Sequence, residues 1–305
     1  MYAIASCFLM LCTVLFAAFP GIGVDREITH DTASATSVST SVALQQTRTS
    51  PGDLELSGTL AGLPAGSHRF LRYEDLLRLP LETYTVSDDS NFHGRTVITG
   101  VALSTLAGLF AAKDSMVAAV CYDSYQSNYP SEYIQAHHPI LVLKIDGKSR
   151  DQWPLSEYGG PLGPYLISHP PFKPSFTILS HKDEAQIPFG VTRIEFASEA
   201  RVFGAIRPPG AWETNSTVWM GYQIARQDCY RCHNMGTEGG FKAQRSWLIL
   251  GAWAATDPAL FQAYVHQPRS IMKSAQMPAH TDYDRATLAA LTAYFRTFGP
   301  QGEQQ

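Results

Sequence analysis

The chain is short of cysteine, of excess charge and of repeats, and each shortage excludes something. Its 305 residues carry 23 Lys and Arg against 27 Asp and Glu, a net charge of −4. That balance offers no basic footprint for nucleic acid, so a nucleic-acid partner is not expected. No repeat at solenoid spacing is present. Five cysteines occur, and Cys7 and Cys12 fall in the apolar run 3–24, which has no charged side chain. No Lys or Arg precedes that run, so the basic start of a secretory signal is missing. The run still leads into Ala17-Ala18-Phe19-Pro20-Gly21, a plausible cleavage zone. It is also long enough to span a bilayer if left uncut. Residues 1–23 are therefore expected to be a signal peptide or anchor, with membrane association only if the segment is retained. Residues 24–51, rich in Ser, Thr and Ala and poor in large apolar side chains, read as a disordered tether.

What is present is Cys229-Tyr230-Arg231-Cys232-His233. Two cysteines three apart followed at once by histidine is the c-type haem attachment pattern. Each thiol adds to one vinyl group, and two intervening residues let the backbone bridge the vinyls. The histidine then lies beneath the iron as an axial ligand. A zinc site would want further Cys or His at ligand spacing, and no second Cys pair follows. A redox dithiol would sit between a strand and a helix with no need of the histidine. One covalent haem c is expected, which also implies export, to the periplasm in a bacterium. With two of the three remaining cysteines committed to haem, a disulfide framework is excluded.

The surrounding residues 212–300 supply helices to close a haem pocket. Asn215-Ser216 can cap a helix carrying Val218, Tyr222 and Ala225 on one face and leading into Cys229. Gly221 would let another helix cross closely. Asp257-Pro258 starts a short helix through Val265. Thr281 or Asp282 can cap a last helix with Leu288, Leu291, Phe295 and Phe298 on one face, stopped by Gly299-Pro300. The sixth iron ligand is expected to be Met277, which Pro278 holds out of helix so that it can reach from a loop. Met272, His280, His266 and Met235 compete for that role, and the commoner fate of a methionine is core filler.

Gly221-Tyr222, Cys229 to His233, Met277-Pro278 and Leu291-Thr-Ala-Tyr294-Phe295 together resemble a class I monohaem cytochrome c. The resemblance implies electron transfer, with His233 proximal, Met277 distal, and the first and last helices crossing near Gly221 and Tyr294. The family often places a Gly-Pro after the motif, whose carbonyl holds the histidine's other nitrogen. Here Thr237-Glu238-Gly239-Gly240-Phe241 fills that stretch, which leaves the acceptor open.

Residues 52–206 alternate strand-like runs (53–60, 82–87, 95–99, 116–122, 140–145, 165–168, 176–180, 191–196) with Gly and Pro signals and short helices at 73–79 and 103–110. The fold class expected is α+β: a β-rich N-terminal domain followed by an all-α one, with Arg207-Pro208-Pro209-Gly210 at the boundary. The motif order Leu54-Glu-Leu56-Ser-Gly58, Tyr73-Glu-Asp-Leu76-Leu77, Thr99-Gly100-Val101-Ala-Leu103, Cys121-Tyr-Asp-Ser-Tyr125, Asp146-Gly147-Lys148, Gly159-Gly160-Pro161-Leu162 and Val191-Thr-Arg-Ile194-Glu195 is similar to the molybdopterin-binding domain of the sulfite oxidase family. That family ligates molybdenum with a loop cysteine, where this chain has Ser87-Asp88-Asp89-Ser90-Asn91-Phe92-His93-Gly94. Asp88 or Ser90 could offer only hard oxygen. Cys121, in an apolar run, reads as a buried small hydrophobe. The missing thiol argues against a bound molybdopterin. Arg150, His169, His181 and Arg193 would suit an anion pocket if they converged, though each is more often structural; His137-His138 read as surface, a helix end or a pocket wall.

Three functions follow. The favoured one is an exported electron carrier with a redox protein partner and a docking or degenerate oxidoreductase domain. The alternative is a molybdopterin-dependent dehydrogenase passing substrate electrons to its fused haem. A purely structural envelope module is the third, and the intact Cys229, Cys232, His233 and Met277 weigh against it.

Overall fold

Hydrophobic alternation along the strands fixes the architecture. In a computed structural model, residues 42–156, 159–173 and 184–300 are described. Eleven strands and nine α-helices are assigned among them. In chain order they are β1 (Leu54–Gly58), β2 (Arg69–Leu71), α1 (Tyr73–Leu76), β3 (Glu82–Val86), β4 (Thr96–Ala102) and α2 (Leu103–Phe110). Next come β5 (Met116–Cys121), β6 (Gln126–Tyr129), α3 (Ser131–His137), β7 (Ile140–Ile145), β8 (Tyr165–Ser168), β9 (Phe189–Ala197) and α4 (Glu199–Gly204). The rest are α5 (Thr217–Gln227), β10 (Asn234–Met235), β11 (Glu238–Gly239), α6 (Trp247–Thr256), α7 (Pro258–His266), α8 (Pro268–Ile271) and α9 (Arg285–Arg296). The protein is thus mixed α and β, built on a nine-stranded sheet. The expected signal peptide or anchor at 1–23, residues 24–41 of the expected tether, the strand expected at 176–180 and His181 lie outside the described residues. Among those described, no helix is long and apolar enough to cross a membrane.

The sheet runs β2-β1-β9-β8-β7-β4-β3 and branches at β9. One edge of β9 pairs antiparallel with β5 from Ala197 to Val191; the other pairs parallel with β1 and, at Phe189 to Val191, antiparallel with β8. Both faces are covered. Leu141 and Leu143 of β7 enter one apolar cluster with Leu54, Leu56, Val101 and Ile194, while Ile140 and Val142 enter another with Val86 and Ile98, joined by Ile145 beyond a register shift against β4. That is the period-two alternation of a strand buried on each side.

A third cluster joins the sheet to the helices. Met116 and Ala197 at strand ends, with Val202, Phe203 and Ile206, pack with Tyr222, Tyr230, Trp247, Leu291, Tyr294 and Phe295. The chain crosses 207–210 without a break in this core. The described residues from 42 to 300 accordingly belong to one compact unit.

Helix starts follow capping chemistry. Ser216 accepts a bond from the Trp219 amide and Asp257 one from Leu260, with Pro258 at the first position of α7. The last helix departs from expectation. Its cap is Asp284, which accepts from the Thr287 amide at 2.8 Å, so neither Thr281 nor Asp282 begins it. It ends at Arg296, and Gly299 serves close packing instead: a Cβ there would lie 2.5 Å from the Ala255 methyl.

Candidate functional site

Helix α5 delivers the chain to the cysteine pair. Its buried residues include Val218, Gly221, Tyr222, Ile224 and Ala225. At Gly221 an added Cβ would stand 2.0 Å from the Ala290 carbonyl oxygen and 2.6 Å from the Tyr294 Cβ, so α5 and α9 cross backbone to backbone. Only glycine admits that approach. Beyond Asp228, residues Cys229–Arg231 form a 3₁₀ turn, and the amides of Cys232 and His233 both donate to the Cys229 carbonyl, at 3.2 and 3.0 Å. Both thiols are thus carried on one tight turn.

The turn is braced from behind. Strands β10 and β11 form a hairpin that returns against it: the Gly240 amide donates to Tyr230 O and the Ala243 amide to Cys232 O, each at 2.9 Å. Gly239 sits at φ +90°, and a Cβ on Gly240 would lie 1.8 Å from Arg231 O. The stretch that replaces the family's usual residues therefore braces the loop.

The acceptor for the histidine lies elsewhere. His233 is 8% exposed, and its Nδ1 donates to the Arg245 carbonyl at 2.6 Å. A carbonyl only accepts, so the proton is on Nδ1 and the lone pair on Nε2. Nε2 makes no hydrogen bond among the described residues. Burial pulls the imidazole's pKa below its ordinary value, outweighing the bond to Arg245. A neutral ring, locked at one nitrogen and open at the other, has the form of a metal-ligating histidine. Nothing in the sequence marked Arg245, twelve residues on, for that role.

Cys229 and Cys232 are free and half-buried. Burial raises both thiols, Cys232 to about 11. Redox-active CxxC thiols are pushed the opposite way, so the pair does not have the electrostatics of a thioredoxin-like dithiol. Met277 lies outside helix, as expected before Pro278, and like Cys229 and Met235 it packs against the helical apolar cluster. Its competitors fare differently. Met272 is exposed, His266 is half-buried at the end of α7, and His280 turns Nδ1 to Asp228 at 3.3 Å and stacks on Tyr283. Two thiols on one turn, an oriented imidazole and a half-buried thioether suit a covalently held haem. Among the described residues no group of three or more His, Cys, Asp or Glu could hold a bare metal ion.

The loop at 87–94 is built in another way. Asp89 is buried; its carboxylate accepts from the Asn91 amide at 2.8 Å and the Ser168 hydroxyl at 2.6 Å. Asn91 in turn donates to Ile187 O at 2.9 Å. Burial lifts the Asp89 pKa to about 6. Asp88 and Ser90 are half-buried. Cys121 is buried in the core beside Val191, with its thiol pushed up by burial.

The candidate anion-binding residues engage different neighbours. Arg150 donates to Gly52 O and lies over the Tyr73 ring, His169 faces Phe172 and His137, and Arg193 faces Glu195. Among the described residues, no hydrogen bond or ion pair joins one of them to another. His137 ends α3, and His138 is its left-handed C-cap at φ 47°.

The loop between β5 and β6 instead touches the cysteine turn. Tyr125 OH accepts from Arg231 at 3.4 Å, Ser124 O from the Phe241 amide at 2.9 Å, and Asp123 pairs with Lys242 at 2.6 Å. No protein-family model and no curated protein matches this chain.

Proposed function

We propose that the chain is an exported c-type cytochrome that transfers electrons through one haem, attached at Cys229 and Cys232 and ligated by His233 and Met277. The observation that carries this reading is the His233 ring, buried directly after the cysteine turn, with Nδ1 held by Arg245 O and Nε2 open. A haem bound there supplies a one-electron ferric–ferrous couple, whose potential a thioether ligand raises. The Arg245 carbonyl fixes the imidazole tautomer and orientation. Tyr222, Tyr230, Trp247 and Phe295 belong to the apolar cluster against which Cys229 and Met277 pack. In this reading residues 212–300 are a class I cytochrome c domain. Residues 52–206 are a sulfite oxidase-like domain that docks a redox partner or braces the haem loop through Tyr125, Ser124 and Asp123.

The competing reading is a molybdopterin-dependent dehydrogenase. It needs a soft ligand in the 87–94 loop, and the buried acid there is already hydrogen-bonded within the fold. Metal analysis separates the two. Expressed with its N-terminal segment in a host that attaches c-type haem, the exported protein is expected to carry about one iron per chain and no molybdenum. Stoichiometric molybdenum would overturn the electron-carrier reading.

A further inference from the structure

The segment between α8 and α9 carries Met277 and is irregular for thirteen residues, so something must hold it in place. Its backbone is anchored by Met272 N to Pro268 O and Ala275 N to Met272 O, each at 2.9 Å, His280 N to Val265 O at 3.4 Å, Tyr283 N to His280 O at 3.1 Å, and Arg269 Nε to Ala275 O at 3.2 Å. A stronger tie comes from across the site. Asp228, the residue before Cys229, is about nine-tenths buried, and its Oδ2 accepts from the Tyr283 hydroxyl at 3.0 Å and faces His280 Nδ1 at 3.3 Å. Its Oδ1 faces Arg231 at 3.7 Å. The rings of His280 and Tyr283 stack at 4.7 Å, so the carboxylate grips both at once.

We infer that Asp228 is a positioning residue that fixes the Met277 loop onto the haem-attachment turn and so keeps the thioether in reach of the iron. The inference rests on the His233 and Met277 reading above. One carboxylate joins the last residue before the cysteine turn to the two rings three and six residues after Met277. Hydrogen bonds to an ionised acceptor in a buried site are the strong ones. Arg231 balances the charge and reaches Tyr125 beyond, so the same line runs from the β5–β6 loop to the methionine loop.

The test compares ferric wild type with Asp228→Asn, which keeps the shape and removes the charge. Wild type should show the sulfur-to-iron absorption band; its absence there overturns the His/Met reading itself, whatever the variant does. With the band present, Asp228→Asn should weaken it. The variant should also bind added imidazole at the iron on the order of tenfold more tightly or better.

The reduction potential gives the sign that separates positioning from simple electrostatics. Losing methionine ligation lowers the potential, whereas deleting a negative charge beside the haem raises it. A lowered potential, restored in part by Asp228→Glu, supports the inference. An intact band with imidazole affinity within about twofold of wild type, or a raised potential with the band intact, overturns it. Should Asp228→Asn fail to fold, Tyr283→Phe removes one of the two bonds and should move all three readouts less far in the same direction.

Discussion

Two loops of this protein are candidates to hold a cofactor, and they use their polar atoms in opposite ways. In the turn at 229–233 the Cys229, Tyr230 and Cys232 carbonyls all accept backbone amides, yet Nε2 of His233 is left with a lone pair and no described hydrogen-bond partner. In the loop at 87–94 the one buried carboxylate accepts from an amide and a hydroxyl, and the neighbouring amide side chain is bonded to Ile187 O. Burial acts on both loops. It keeps the histidine neutral, which suits a ligand, and it raises the aspartate, which disfavours the charge a metal would want. A ligand site is a place where the fold fixes a donor without using it up; the first loop fits that description and the second does not.

The largest expected effect that tests this contrast lies at the distal side. Met277→Ala removes the thioether, so the sulfur-to-iron band should vanish and the reduction potential should fall, with haem still attached through Cys229 and Cys232. Optical spectra and a redox titration check this. If the band survives, another sulfur is the ligand. Met235 packs against the same cluster as Met277, whereas Met272 stands in solvent, so Met235 would be examined first.

What could be read from the chain follows the range of the interactions. The cysteine turn is legible because its two thiols and the imidazole fall within five consecutive residues. Ser216, Asp257-Pro258 and Gly221 were legible because caps and close crossings have local chemistry. Arg245 was not, because its part is played by a backbone carbonyl that any residue owns. Helix α6, Trp-Leu-Ile-Leu-Gly-Ala-Trp-Ala-Ala-Thr, escaped notice because it is apolar all round and shows no period. Strand β2 is too short to show a pattern, and β6, Gln126-Ser-Asn-Tyr129, is as short as β8 but mostly polar. The cap of α9 was misplaced because Thr281, Asp282 and Asp284 are all competent acceptors, and only the path of the preceding loop chooses among them. In the N-terminal half the absent thiol was plain, but the internal bonding of Asp89 depends on Ser168, far along the chain.

Asp89 gives the middle-sized test, and its sign is definite. Its pKa is about 6 in the fold against an ordinary 3.8, so the folded protein holds a proton that the unfolded chain releases between those values. Stability from this group is therefore full below about pH 4 and is lost as pH rises through about 6, by up to about 3 kcal/mol. Asp89→Asn mimics the protonated acid. Urea unfolding should find the variant close to wild type near pH 4 and about 2 kcal/mol more stable at pH 7.5. Iron content should be unchanged. A variant that instead loses a bound metal would place a ligand in this loop and break the contrast between the two.

The smallest effect is expected at Cys121, and it sharpens the contrast from the sulfur side. All three described cysteines have raised thiols, so acidity alone does not sort them. Surroundings do. Cys121 is the last residue of β5, 5% exposed, with its amide bonded to Tyr125 O and apolar neighbours from the sheet core. Cys229 and Cys232 are half-buried on a turn at the edge of an aromatic cluster. A thiol packed into the sheet core is not presented to a cofactor, and replacing it with alanine removes only one buried sulfur. Cys121→Ala should cost about 1 kcal/mol in stability. Haem attachment, spectrum and potential should be unchanged, while the same substitution at Cys229 removes a thioether link. Denaturing electrophoresis with haem staining, beside an unfolding curve, measures both. A Cys121→Ala protein that folds yet changes its metal content would make this sulfur a ligand, despite its burial in the sheet core.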